Sequence, residues 1–562
     1  MTRMLVVAIA CFGPLALSAC TPDEPSPNRN DNGFAEQRGP PVERVTEPVG
    51  TWFESSCAMD KKLLRRVRAG INPHRSPEVT AVPREPNYFG GFATYTHSGP
   101  WDYVQEVPLA FYGPGFIKSR GTLDLDRFVT LADVAPTLAE LVGTVLPGER
   151  PGQPIREALV DESRRDQPKV IVQVVWDGGG TNVLEQWPKA WPTLKRIMAE
   201  GTSIKDAEVG ASPSVTPAVH ATIGTGAFPK QHEVVHIPVR DGDEIVGSYP
   251  GKTPSILALS TVADVYDQQV GNEAEIGSFS YKTWHWGLVG HGAYLEGGDK
   301  DIVFLNDTTG KFQTNRSYYA MPDYATHVPG LDEYTEQVDK ADGRADGLWM
   351  GNDLLETTPA DLRDSPAWAQ YQTDIATTIM ERQGFGDDDI TDLFFMNYKQ
   401  IDELGHRFNM LEPEVREIVT YSDAELERLT SWLDDNVGER EWVLMVTADH
   451  GQAPAPLSGG AWPIGLAPLL DDLGNALNVD PNRLIQDQRP GAYWIDMQVL
   501  KEEGLTLNDI ASFMTNYRLE DNLQEDEQVP DLYRDRLREP LFSAAFPTKA
   551  MHRIWTCANK RS

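Results

Sequence analysis

Cysteine is scarce in this chain: four among 562 residues, at positions 11, 20, 57 and 557. So few exclude a fold stapled by many disulfides. Positive charge is short as well, with 50 Lys and Arg against 84 Asp and Glu and a formal net charge of -34. Such a field repels nucleic acid and anionic headgroups, so no nucleic-acid duplex is expected as a partner. A long hydrophobic run is also lacking, since the apolar stretch from Met4 to Leu17 is too short to span a bilayer comfortably. What remains is ordinary for a globular chain: 40% hydrophobic and 24% charged residues, enough to bury a large core.

The opening MTRMLVVAIACFGPLALSAC has one arginine, the apolar run and then small residues, the shape of a signal peptide over residues 1–19. Leu17-Ser18-Ala19-Cys20 resembles the lipobox of bacterial lipoproteins, which implies lipidation of Cys20. Ordinary secretion with cleavage nearby is the alternative. Residues 20–48 are polar and rich in Pro, Asn and Asp, as a flexible tether would be, and 49–562 read as the globular part. Both versions place the protein outside the cytoplasm, and in the first its one contact with a membrane is the lipid anchor. In an oxidising compartment Cys57 and Cys557 form a candidate disulfide, with two free thiols as the other possibility.

Four short, nearly continuous apolar runs stand out: VPLAFYGPG from Val107, VIVQVVWDGGG from Val170, DLFFMNY from Asp392 and WVLMVTADHG from Trp442. Strands covered on both faces read this way, and helical patterns lie between them. The alternation predicts an α/β fold: a doubly wound, mostly parallel sheet with helices on both faces. Ligands of such sheets lie beyond the carboxyl ends of the strands, where this chain has Asp177, Asp402 with His406 four residues on, and Asp449-His450. Asp and His together suit zinc, with manganese or iron as the other candidates. In ASPSVTPAVHATIG, Thr216 reads as the N-cap of a helix with Pro217 at its first position. Such a helix start also welcomes a phosphate, and a threonine there becomes a nucleophile if divalent ions lower its hydroxyl pKa.

At these residues the chain resembles the alkaline phosphatase superfamily, in the branch of nucleotide pyrophosphatase/phosphodiesterases and threonine-nucleophile alkaline phosphatases, from about residue 90 to 455. The resemblance implies two divalent metal ions, zinc foremost. One would be held by Asp177, Thr216, Asp449 and His450, the other by Asp402, His406 and a further histidine that the family carries near its C-terminus. His552 has none of that histidine's usual neighbours. They occur at the other end of the chain: Thr96-His97-Ser98-Gly99, Trp101-Asp102-Tyr103, Val107-Pro108-Leu109, Gly113-Pro114-Gly115 and Asp133-Val134-Ala135-Pro136-Thr137. The order therefore looks circularly permuted, with the family's usual ending at about 90–150 and His97 in place of His552 as the ligand. A Cys57–Cys557 bridge would lie near the point where the usual chain is continuous.

The implied activity is extracytoplasmic hydrolysis of small phosphate esters through a phosphothreonine intermediate, phosphomonoesters favoured slightly over phosphodiesters or nucleotide pyrophosphates. Sulfatases are disfavoured because the Cys/Ser-x-Pro-x-Arg motif is absent at Thr216. The asparagine that phosphodiesterases place about twenty residues after the nucleophile has Ile237 near its position, with His236 beside it. The lysine and arginine of the phosphatases correspond to Lys282 and Trp284, which makes Lys282 either a contact to a phosphate oxygen or a solvated surface group. A surface lipoprotein that keeps the fold as a binding module without turnover is the alternative. Residues 240–390 and 455–545 resemble the family least and are expected to form a cap or insertions over the site.

Overall fold

A computed structural model describes residues 51–91, 94–164, 166–306, 310–355, 362–523 and 529–561. The signal segment, Cys20 and the 20–48 tether lie outside the described residues. Among those described, no helix is long and apolar enough to cross a membrane.

Each of the four apolar runs forms a strand of one nine-stranded sheet. We number its strands β1 (Leu109–Tyr112), β2 (Gly121–Leu123), β3 (Val170–Trp176), β4 (Thr202–Ile204), β5 (Ile276–Ser280), β6 (Ile302–Asn306), β7 (Phe312–Gln313), β8 (Asp392–Tyr398) and β9 (Trp442–Thr447). The spatial order is β7-β6-β5-β8-β3-β9-β1-β4-β2, with β6, β5, β8, β3 and β9 mutually parallel. Side chains along a strand alternate between faces. Ile171 and Val175 of β3 accordingly join one hydrophobic core, while Val170, Val172, Val174 and Trp176 join another on the opposite face. Helices Val134–Leu141, Thr216–Thr225 and Val262–Gln269 cover the first face, and Pro192–Glu200, Pro366–Gln383 and Pro413–Leu433 the second. Burying one Val or Leu side chain in this way contributes about 1.5–3 kcal/mol.

The run from Val107 runs against its neighbours: β1 pairs antiparallel with both β9 and β4. Its direction matters for the site. In an antiparallel neighbour the start of the strand lies at the carboxyl end of the others, and Leu109 indeed pairs with Thr447, the last residue of β9. Whatever precedes β1 is thereby delivered to the same rim as Asp177 and Asp449.

Of the two least family-like stretches, one enters the central sheet and the other helps build a second one. Residues 276–313 supply β5, β6 and β7, so this part of 240–390 belongs to the central sheet rather than to a cap. Segment 455–545 contributes strands Ile485–Arg489 and Ala492–Ile495 to a second, four-stranded sheet, completed by Val79–Pro83 and Phe542–Pro547. In it Val79–Pro83 lies between Ala492–Ile495 and Phe542–Pro547, antiparallel to both. The early and late parts of the described chain are thus woven together.

Cys57 and Cys557 form a disulfide across 500 residues, with Cα atoms 5.8 Å apart. It joins helix Trp52–Ala58 to helix Met551–Lys560, over a core that includes Leu64, Val67, Phe546 and Ile554. A cross-link closing so long a loop restricts the unfolded chain strongly. Replacing both cysteines by serine is expected to lower stability by about 2–5 kcal/mol, read as a fall in denaturation midpoint that matches reduced wild type.

Candidate active site and metal centre

The register of the central strands gathers the site. Trp176 pairs with Tyr398 and Val175 with Thr447, so Asp177, Lys399 and Ala448-Asp449 leave the sheet side by side. Between β3 and β5 the chain moves from β4 on one side of the sheet centre to β5 on the other, and the connection carries Thr216. Ligand sites of open α/β sheets form at such a reversal.

The glycines after Asp177 serve close approach of protein to protein. Gly178 has φ 72°, and a Cβ there would lie 2.8 Å from Asp402 Cα; one on Gly180 would lie 2.4 Å from Gly451 Cα. Their absence of side chains draws the Asp402 helix and the Asp449-His450 turn against Asp177. The Gly178 N–H donates to Asp449 Oδ1 at 3.0 Å.

Asp402 and His406 share one face of helix Gln400–Phe408, as their spacing predicts. Helix Thr216–Thr225, by contrast, begins one residue earlier than the cap reading placed it. Thr216 is its first residue, Val215 is the N-cap and Pro217 follows at the second position. The Thr216 hydroxyl therefore does not cap its own helix; its oxygen accepts a hydrogen bond from Lys399 Nζ at 3.2 Å.

Three histidines are oriented by one device. His97 Nδ1 is 2.9 Å from the Ser214 carbonyl and His450 Nδ1 3.0 Å from that of Gly451, while His406 Nδ1 meets the Tyr95 carbonyl. A carbonyl only accepts, so each Nδ1 carries a proton, and Nε2 offers its lone pair whenever the ring is neutral, as metal binding requires. All three Nε2 atoms face Asp402 Oδ1, at 3.5 Å from His97, 3.4 Å from His406 and 3.8 Å from His450. Ligands around a tetrahedral ion at metal bonds of about 2.0–2.1 Å lie about 3.3–3.4 Å apart; the distances of His97 and His406 to Asp402 Oδ1 come near that spacing and that of His450 exceeds it. His450 Nε2 also lies 3.5 Å from Asp177 Oδ1 and 3.4 Å from Asp449 Oδ2, which brings the other expected ligand set onto the same rim. Both His450 Nε2 and Asp449 Oδ2 are buried without a hydrogen-bond partner. Ligand atoms of His97, Asp402 and His450, and of Asp177, Asp449 and His450, come close enough in each trio to share an ion.

The loop bearing His97 is fixed from several sides. Ser214 Oγ donates to the His97 carbonyl at 2.9 Å, and Gln105 Nε2 donates to the carbonyls of Gly99 and Ala211, both at 2.9 Å. Buried Arg66 holds the same loop through the Pro100 carbonyl at 2.7 Å and Asp102 Oδ1 at 2.6 Å. The histidine that precedes every other site residue in the sequence is thus tied directly to the segment leading into Thr216.

Three residues at the site were not singled out from sequence. Lys399 is 2% exposed on its side chain and donates to Asp177 Oδ1 at 2.8 Å and Asp402 Oδ2 at 2.5 Å besides Thr216. Burial alone would lower its pKa, but Asp177 and Asp402 hold it well above the usual lysine value. Burial would likewise raise Asp177, and Lys399 holds it well below the usual carboxylate range. Its position one residue past a continuous buried strand was the available signal. His220 sits behind the site with both nitrogens engaged, Nδ1 to the Thr216 carbonyl and Nε2 to Asn397 Nδ2, each at 2.8 Å. His285 is buried with both ring nitrogens lacking a hydrogen-bond partner, Nε2 standing 3.6 Å from Asp177 Oδ2.

Lys282 donates to Glu403 Oε1 at 2.9 Å, next to Asp402, and lies over the rings of Tyr281 and Trp284, 4.7 Å from each centroid. His236, beside Ile237, packs edge-on against Trp494 of the second sheet, 5.7 Å between ring centres. His552 lies exposed on helix Met551–Lys560.

Residues 171–543 match the family model described as type I phosphodiesterase / nucleotide pyrophosphatase, which is more than half of the chain. The chain belongs to this family. His97 lies before the matched region. Among curated proteins, the alkaline phosphatase PafA of Elizabethkingia meningoseptica is 22% identical over 432 residues, covering 67% of this chain and 78% of that protein. The alkaline phosphatase PhoV of Synechococcus elongatus is 22% identical over 340 residues, 52% of this chain and 60% of PhoV. The crystal structure of wild-type PafA superposes with a TM-score of 0.50 at 21% identity, covering 62% of this chain and 76% of PafA, and shares its fold. The protein is a phosphoesterase of the alkaline phosphatase superfamily.

Proposed function

We propose that this family member is an extracytoplasmic, metal-dependent hydrolase of small phosphate esters that works through Thr216. The observation that carries the reading is the set of three histidines with Nδ1 on backbone carbonyls and Nε2 turned to Asp402 Oδ1, beside Asp177 and the Thr216 hydroxyl. Asp177, Thr216, Asp449 and His450 would hold one divalent ion and Asp402, His406 and His97 a second. Two such ions supply Lewis acidity and lower the pKa of a hydroxyl and of a water. The three aspartates against two divalent charges leave about one unit of positive charge, and buried Lys399 adds another, so an anion is drawn in despite the acidic surface.

The chain's own residues then do the following. Thr216 loses its proton to solvent, and Oγ1 forms the bond to phosphorus while the bond to the leaving oxygen breaks. A water oxygen then bonds to phosphorus, the P–Oγ1 bond breaks with its electron pair on Oγ1, and phosphate leaves with Thr216 regenerated. Lys282, held at the edge by Glu403 and the flanking aromatic rings, is the side chain offered to a non-bridging oxygen. Phosphomonoesters are the favoured class, in keeping with the name alkaline phosphatase carried by PafA and PhoV. The location outside the cytoplasm follows from the N-terminal signal pattern and is supported by the Cys57–Cys557 bridge. Circular permutation accounts for a ligand loop that precedes β3 instead of following β9.

Assays with p-nitrophenyl phosphate and its bis ester, before and after chelation, test this reading. Hydrolysis of both is expected, faster for the monoester, lost on chelation and restored by zinc. A chain that binds ions yet turns over neither ester would instead support a binding module on the same fold.

A further inference from the structure

Lys399 has a place in the centre that the ligand set does not account for. An ammonium has three N–H bonds and no lone pair. Here Nζ has acceptors on three different elements: Asp177 at the end of β3, Asp402 on helix Gln400–Phe408, and Thr216 at the start of its helix. Asp402 divides its oxygens, presenting Oδ1 to the histidines and Oδ2 to Lys399, whereas Asp177 Oδ1 faces both Lys399 and His450 Nε2. A lysine whose role was charge balance alone needs the two carboxylates. The third contact goes to the oxygen that the proposed reaction uses.

We propose that Lys399 is a catalytic residue whose ammonium holds the Thr216 oxygen in line for attack and stabilises negative charge on it. The inference rests on the phosphoester-hydrolase reading. In the first half-reaction the Thr216 proton has passed to solvent, Oγ1 carries the charge, and an Nζ–H bond points at it. The Oγ1–P bond forms, and the P–O bond to the leaving group breaks with its electron pair on the leaving oxygen, which takes a proton from solvent. In the second, a water oxygen bonds to phosphorus and gives its proton to solvent, the P–Oγ1 bond breaks, and the electron pair returns to Oγ1, again met by Lys399. The ammonium keeps its three protons throughout. Clamping by two aspartates on separate elements makes it a preorganised donor, of the kind whose removal costs about 10²–10³-fold in kcat.

The test compares wild type, Lys399→Met and Lys399→Arg for kcat and KM on p-nitrophenyl phosphate, for bound ions per chain by elemental mass spectrometry, and for phosphothreonine formation by rapid quench. The expected result is a fall in kcat of about 10²–10³-fold for Lys399→Met with KM and ion content near wild type. Phosphothreonine formation slows with it, and Lys399→Arg recovers part of the rate. Should Lys399→Met fail to fold, Lys399→Gln gives the same comparison, since it keeps a donor and removes the charge. Wild-type kcat in a folded, uncharged variant overturns the role. A change in ion content overturns it too, showing that the ammonium stands in for an ion or braces its ligands. A wild-type chain that hydrolyses no phosphate ester, with its ions bound, overturns the functional reading and this role with it.

Discussion

Thr216→Ala is expected to abolish phosphoester hydrolysis, lowering kcat/KM by about 10⁴-fold or more, which is about 5.5 kcal/mol of transition-state stabilisation. The proposed route forms a covalent bond to Oγ1, and alanine offers no atom for it. The fold has little reason to suffer. Thr216 occupies the first helical position and Val215 the cap, so no capping bond is removed, and alanine has the higher helix propensity. The lost hydrogen bond is one of three made by Lys399, whose contacts to Asp177 and Asp402 remain. Thermal denaturation should therefore stay near wild type while turnover disappears, and the ion that Asp177, Asp449 and His450 would still hold should bind more weakly for want of the Thr216 oxygen. Thr216→Ser, which keeps a hydroxyl, should retain measurable activity and yield phosphoserine on acid quench. Undiminished turnover in a folded Thr216→Ala chain would mean that water attacks the ester directly, and the covalent route would have to be given up.

Many of the residues gathered at this centre were legible in the sequence because they follow the strongest signal an α/β chain emits. Buried parallel strands must be continuous and apolar, so VIVQVVW, DLFFMNY and WVLMVT announce themselves, and a carboxylate at or soon after the end of such a run stands out. Lys399 was missed for the opposite reason: one lysine after an apolar run looks like any solvated residue at a helix start. Its meaning depends on Asp177 and Thr216, which lie 222 and 183 residues away in sequence. The direction of β1 was illegible too, because an apolar four-residue strand reads alike both ways and its neighbours decide its sense. The same holds for the second sheet, where Val79–Pro83 joins strands more than four hundred residues later. Thr216 shows the limit of a local rule. Threonine before proline is a sound cap signal, but Lys399 claims the hydroxyl oxygen and the helix starts one residue sooner.

His97→Ala should remove one metal ion and most activity, while His552→Ala should leave both unchanged, and this pair carries the claim about chain order. His97 Nε2 lies 3.5 Å from Asp402 Oδ1, its Nδ1 is fixed on Ser214, and its ring stacks on His450 with 3.4 Å between centroids. Loss of a residue that merely orients a ligand already costs about 10–100-fold in metal affinity, and loss of a ligand costs no less. Ion titration should show the affinity of one site reduced by at least about a hundredfold, with turnover falling in parallel. His552 has no such setting: it is exposed, and its carbonyl accepts from Thr556 within its own helix. Weakened ion binding in His552→Ala with an intact His97→Ala would return the ligand to the end of the chain and remove the case for permutation. The expected pattern has a structural basis apart from any motif. β1 runs antiparallel to β9, so the loop before β1 arrives at the rim where β3 and β9 end, and a histidine on that loop reaches Asp402 from whichever end of the gene encodes it.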